Sequence, residues 1–130
     1  MTEKNTIEIA LVGHCGPDAY ALQSAVKGAV PGSSVHRVNT KSELDKMMDQ
    51  WSLLLVNRVL DGDFGHESGI EFIRDMIGEL GEKAPKAMLI SNLPEALAEA
   101  EQVGAVPGFG KRAMRSPEAE TALKNALAIG

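Results

Sequence analysis

Residues 52–56 read Ser52-Leu53-Leu54-Leu55-Val56, a continuous apolar run without polar alternation. A strand with one wet face alternates, whereas a strand covered by helices on both faces does not. The run is therefore expected to be a central strand of a parallel sheet. Upstream, Ile7-Glu8-Ile9-Ala10-Leu11-Val12 is a second β-branched apolar run, stopped by Gly13. Gly16-Pro17-Asp18 then signals a helix start, Ala19, Leu22, Val26 and Ala29 follow at helical spacing, and Pro31-Gly32 ends the segment. Val35 to Val38 reads as a weaker strand, with His36 as an exposed edge residue. Thr40 and Glu43 form a capping box for a helix whose stripe is Leu44, Met47, Met48 and Trp51.

Downstream of the central run, Asn57 to Gly69 holds three glycines and several charges and reads as a long loop. Ile70, Ile73, Ile77 and Leu80 mark a third helix, and Lys86-Ala87-Met88-Leu89-Ile90 a fourth strand. Ser91 or Asn92 can cap a fourth helix with Pro94 in its first turn and Gly104 at its C′ position. Ala105 to Phe109 is a short fifth strand broken by Pro107 and Gly108, and Ser116-Pro117-Glu118 opens the last helix. Five β-α units in strict order mean a parallel sheet with right-handed crossovers. The working site of such a sheet lies at the carboxyl ends of its strands. Those ends are Gly13-His14, Asn57-Arg58, Ser91-Asn92 and Gly110-Lys111.

Composition bounds the rest. The chain has 130 residues, 44% hydrophobic and 24% charged, with a formal net charge of −5. These are globular values, and the chain reads as a single domain over 1–130 with a core over about 6–128. An acidic chain with no basic run is a poor binder of nucleic-acid phosphates. No apolar stretch approaches the roughly 20 residues that span a bilayer, and Met1 to Asn5 lacks an apolar leader. A cytoplasmic location is the default expectation. The chain ends directly after the last helix, so no output domain is expected. Cys15 is the single cysteine, which excludes an intrachain disulfide and a Cys-based zinc site.

Three pieces of the sequence resemble the receiver domain of two-component response regulators. Leu53 to Asn57, followed after the loop by Gly69-Ile70-Glu71-Phe72-Ile73, is similar to the family's third strand, phosphoacceptor position and helix-three start. Ala87-Met88-Leu89-Ile90-Ser91 is similar to the fourth strand ending in Ser or Thr. Ala100 to Lys111 resembles the segment leading to the family's lysine, and Ser91 and Lys111 stand twenty residues apart, close to the family's spacing. The resemblance runs from about Ile7 to about Leu127 and implies a flavodoxin-like, doubly wound five-stranded α/β sheet, order 2-1-3-4-5, with helices on both faces.

The departures fall on the chemistry. Gly13-His14 stands where the family places two Mg²⁺-holding acids, and Asn57 stands where it places the aspartate nucleophile. A neutral amide gives no aspartyl phosphate, and Mg²⁺ is held through carboxylates. Gly108 occupies the aromatic switch position beside Phe109, Arg112 replaces the proline after the lysine, and the loop after Asn57 is longer than usual. Of the five site positions Gly13, His14, Asn57, Ser91 and Lys111, only Ser91 and Lys111 keep the family's residue types. The pocket is expected to be net positive, with Lys111 hydrogen-bonded to the Asn57 side-chain oxygen.

The resemblance implies a phosphorylation-independent signalling module with no enzymatic activity and no cofactor. Its implied partners are proteins, a histidine kinase or an output protein, or a second copy of the chain. The family's pairing face corresponds here to Leu97, Glu101, Val106, Phe109, Arg112 and Glu120. The competing expectation is a ligand-binding or enzymatic flavodoxin-like domain using His14, Cys15, Asn57 and Ser91, with Asp61, Asp63 and His66 nearby. Asp61 and Asp63 have the spacing that begins a calcium loop, but Gly65 and an early Glu67 break the pattern, so the segment reads as a solvated loop without metal. Gly13 and Gly16 lack the rest of a dinucleotide fingerprint and read as turn residues.

Overall fold

The computed structural model describes residues 6–129; the polar stretch Met1 to Asn5, read above as lacking an apolar leader, lies outside them, as does Gly130. Five parallel strands, β1 (Glu8–Val12), β2 (Ser34–Val38), β3 (Leu53–Asn57), β4 (Ala87–Ile90) and β5 (Val106–Phe109), form one sheet in the order β2-β1-β3-β4-β5. The helices are α1 (Gly16–Ala29), α2 (Lys41–Asp45), α3 (Gly69–Leu80), α4 (Pro94–Gln102) and α5 (Pro117–Ala126). This is the expected doubly wound topology, and every strand points its carboxyl end to the same edge.

The strand residues divide by parity, as a pleated sheet requires. Ala10, Val12, Leu54, Val56, Ala87 and Leu89 face the side covered by α2, α3 and α4, where Leu44, Phe72, Ile73, Met76, Ala96 and Ala100 complete one core. Ile9, Leu11, Leu53, Leu55, Met88 and Ile90 face the side covered by α1 and α5, with Leu22, Val26 and Leu123. The unbroken leucine run of β3 thus feeds both cores at once.

Three local readings are corrected. The apolar stripe through Trp51 is not one helix, because α2 stops at Asp45 and the chain turns. The Trp51 indole N–H donates to the Leu44 carbonyl at 3.0 Å, which in a continuing helix accepts from the Met48 amide. The Thr40–Glu43 capping box forms on one side, Thr40 Oγ1 accepting from the Glu43 amide at 3.1 Å, but the Glu43 carboxylate accepts from Asn39 rather than from the cap itself. The α4 cap is Leu93, not Ser91 or Asn92; Ser91 Oγ accepts from the Leu93 amide and Asn92 Oδ1 accepts from the Arg112 amide, so both side chains brace the turn after β4.

Candidate functional site

Gly13 turns the chain sharply out of β1. Its φ of +76° favours glycine, and an added Cβ would come within 2.6 Å of Leu60 Cδ2. His14 follows and folds inward. It is fully buried, and its Nε2–H donates to the Leu55 carbonyl at 2.9 Å. That bond fixes the neutral tautomer with its proton on Nε2. Nδ1 has no partner among the described residues. Burial pushes the His14 pKa down to about 4, the hydrogen bond to Leu55 opposing that shift. The Arg37 guanidinium caps the turn by donating to the His14 carbonyl at 3.3 and 3.4 Å.

Asn57 ends β3 with both donors of its carboxamide engaged. Nδ2 donates to the Gly13 carbonyl at 3.1 Å and to the Val59 carbonyl at 2.7 Å. Two carbonyl acceptors leave no choice in the orientation of the amide. The Gly13 carbonyl also accepts from the Asp61 amide at 2.9 Å, so one oxygen ties β1, β3 and the following loop together. Gly69 brings the start of α3 against the end of β3, since an added Cβ there would collide with the Asn57 carbonyl.

Asn57, Arg58, Ser91, Asn92, Leu93 and Lys111 line a cleft of about 370 Å³ at the strand ends, with Val59 and Ile90. Among the described residues no carboxylate lines it. Lys111 does not meet Asn57, contrary to the sequence reading. Its Nζ donates to Asp18 Oδ2 at 2.7 Å, across to the first turn of α1. That bond, with a smaller one from Cys15, holds the Asp18 carboxyl below its usual range. The side chains of Lys111 and Asp18 are 23% and 42% exposed, so the pair is screened and contributes only modestly to stability. The charged residues lining the cleft are Arg58 and Lys111, with Lys111 bonded to Asp18, while His14, expected in the pocket, is buried beneath it and uncharged.

The segment from Arg58 to Ser68 is not a plain solvated loop. Leu60 and Phe64 are buried, and Phe64 packs edge-on against Phe72 with ring centroids 6.0 Å apart. The Asp63 amide donates to the Asn39 carbonyl and the Lys41 amide to the Asp63 carbonyl, both bonds being short, so the segment lies along the ends of β1 and β2. Leu60 thereby sits over Gly13, where the resemblance placed the metal-holding acids. Asp61 and Asp63 are exposed, and among the described residues no three His, Cys, Asp or Glu side chains converge into a metal-ligating group. A Mg²⁺ ion needs hard oxygen ligands with charge; the residues at these strand ends do not fit it.

The residues offered for a ligand or enzymatic site are scattered. Asn57 and Ser91 share the cleft, His14 lies beneath in the core, Cys15 is half-buried beside Asp18, and His66 faces away and pairs with Asp75. On the pairing face, Glu101, Arg112 and Glu120 are exposed and Leu97 and Val106 half-buried. Phe109 is buried among the α1 and α5 side chains and offers nothing to a partner. Sequence reasoning missed Leu60, Phe64 and Asp18. The apolar pair four residues apart inside a polar loop was the available signal for the first two.

No protein-family model matches the chain, and no curated protein matches it. Solved structures do. The signal receiver domain of a DNA-binding response regulator from Colwellia psychrerythraea superposes with a TM-score of 0.74 at 11% identity, over 94% of this chain and 98% of that one. A response regulator from Thermotoga maritima gives 0.72 at 16% identity, over 95% and 99%. An orphan response regulator of H. pylori gives 0.66 at 13% identity, over 93% and 96%. At such identities the likeness is one of fold. No helix of the described residues is long and apolar enough to cross a membrane.

Proposed function

We propose that this chain, folded as one receiver-like domain, is a signalling module that works by protein–protein contact and is not switched by phosphorylation at Asn57. The observation that carries this reading is the Asn57 carboxamide, whose Nδ2 donates to the Gly13 and Val59 carbonyls. A carboxylate at this position could make neither bond and would face two carbonyl oxygens. The turn is built around an amide, so the departure from an acidic nucleophile is part of the structure. The buried neutral His14 and the Leu60 side chain over Gly13 support the same conclusion, because they fill the place where a cation would be held. Phosphoryl transfer depends on positioning and on charge neutralisation by metal and lysine. Here the metal ligands are absent from the cleft and the lysine is engaged by Asp18.

The partners this reading implies are proteins of a signalling pathway, a histidine kinase or an output protein, with self-pairing through the α4–β5–α5 face as a further mode. No catalytic step is assigned to the strand ends.

The test is thermal melting with and without Mg²⁺ and beryllofluoride, a mimic of aspartyl phosphate. A ligand at a hundred times its dissociation constant stabilises the native state by about 2.7 kcal/mol. For a domain of this size that is a rise of about 10 °C. The expected result is no shift. A clear rise overturns the proposal and makes Asp61 and Asp63 the first residues to replace.

A further inference from the structure

Away from the strand ends, a cup of about 300 Å³ opens between α2 and α3. That volume is at the lower end of small-molecule sites. Its walls are Leu44, Met48, Phe72, Met76 and Leu80. Helix α2 stops after Asp45, and Met48 from the stretch that follows it forms part of the wall. The chain turns there toward Trp51, whose indole N–H is bonded to the Leu44 carbonyl. The long loop after β3 supplies the remaining wall with His66, which is held in place by Asp75 Oδ2 at 2.7 Å and lies edge-on to Phe72 at 6.3 Å.

The rim gives the cup a sign. Among the described residues Lys41 is its single permanent cation, on a rim with three carboxylates, Asp45, Asp75 and Glu79. Lys41 hydrogen-bonds Asp45 at 2.8 Å and Asp75 accepts from His66. Glu79 makes no hydrogen bond among the described residues, but its charge lies close enough to Lys41 to help Asp45 hold that ammonium's pKa up. An apolar floor under a carboxylate without a hydrogen-bonded partner, on a rim with three carboxylates to one lysine, suits a compact apolar body carrying one positive charge, and it disfavours an apolar anion.

We propose that the cup between α2 and α3 binds a small hydrophobic amine, an aryl- or alkylammonium whose body packs on Phe72, Met48 and Met76 and whose charge meets Glu79. This site is independent of the cleft at the strand ends and of the signalling reading.

The test is a backbone-amide NMR titration of the full chain with 2-phenylethylamine, its neutral counterpart 2-phenylethanol and the anion 3-phenylpropanoate. Saturable shifts from the amine, confined to Leu44, Met48, Phe72, Met76 and their neighbours, are expected. The alcohol should bind about threefold to fivefold more weakly, the usual worth of one half-exposed ion pair, and the anion more weakly still. Glu79→Gln should bring the amine to the affinity of the alcohol without changing the fold. Met48→Trp should block all three ligands by filling the cup, and Leu80→Trp serves if that variant does not fold. Equal affinities for amine and alcohol, shifts elsewhere on the protein, an order unchanged by Glu79→Gln, or no saturation by about 20 mM, weaker than about −2.3 kcal/mol, would each overturn the proposal.

Discussion

Asn57 shows how much can rest on one uncharged atom. Asn57→Asp keeps the shape of the side chain but replaces a donor by an acceptor opposite the Gly13 and Val59 carbonyls. Leaving those acceptors unpaired beside a new charge should cost about 1–3 kcal/mol. The urea midpoint should fall accordingly, and the variant should gain no response to Mg²⁺; a variant as stable as the parent would contradict this account of the turn. His14 carries a pH dependence of definite sign. Its folded pKa is lowered to about 4, against about 6.5 in the unfolded chain. The unfolded state therefore binds the extra proton between these values, and stability falls as pH drops from about 6.5 to about 4, by about 3 kcal/mol in all. Urea midpoints across this range should show the slope, and His14→Gln should flatten it. Asp18 acts in a different window. Its carboxyl is held low chiefly by Lys111, so its contribution is lost only as pH falls through its own lowered value. Lys111→Met should return the Asp18 carboxyl toward the ordinary range in an NMR titration, with little change in melting, since the pair is half-exposed. The neutrality of position 57 was legible in the sequence. The ion pair was not, because Asp18 and Lys111 are far apart in the chain and only the sheet topology brings them together.

At the level of elements, the strands and the loop after β3 differ in how openly the sequence declares them. The central strands are written in burial: β1, β3 and β4 are short apolar runs, and β3 is apolar on both faces because both faces are covered. The loop hides its purpose, since its glycines and acids suggest solvation while Leu60 and Phe64 anchor it to the core. Helix α2 misled in the opposite direction. Leu44, Met47, Met48 and Trp51 keep helical spacing, yet the Trp51 indole takes the Leu44 carbonyl and the helix ends. If Phe64 is the anchor, Phe64→Ala should remove about 3–5 kcal/mol, a large fraction of a domain's stability. Phe64→Leu, which keeps most of the volume, should cost less than about 1.5 kcal/mol. The amides of Asp61 and Asp63, bonded to the Gly13 and Asn39 carbonyls, should lose hydrogen-exchange protection before β1 does in the alanine variant. Simultaneous loss in β1 and the loop would mean that the segment is part of the sheet's own cooperative unit.

For the whole molecule, five β-α units made a parallel sheet with right-handed crossovers legible as a pattern, whereas the order β2-β1-β3-β4-β5 was implied by the family resemblance. What a sheet of this kind presents outward is less legible, because exposure depends on which way each residue turns. Phe109 stands at the end of β5, where a partner-facing aromatic was expected, but its side chain completes the α1–α5 core. Of the remaining residues expected on the α4–β5–α5 face, Glu101, Arg112 and Glu120 are exposed, and Leu97 and Val106 are half-buried. Stable obligate interfaces are more apolar than this, and charged rims govern encounter and register more than affinity. Self-pairing through this face should therefore be weak and electrostatic. Light scattering at high protein concentration should show association at low ionic strength that disappears near 1 M salt, where the screening length is about 3 Å. Arg112→Glu should abolish it at every salt concentration while leaving the melting temperature in place. Association that persists or strengthens with salt would mean an apolar interface elsewhere, for which the exposed Val59 and Leu93 at the mouth of the cleft are the first candidates.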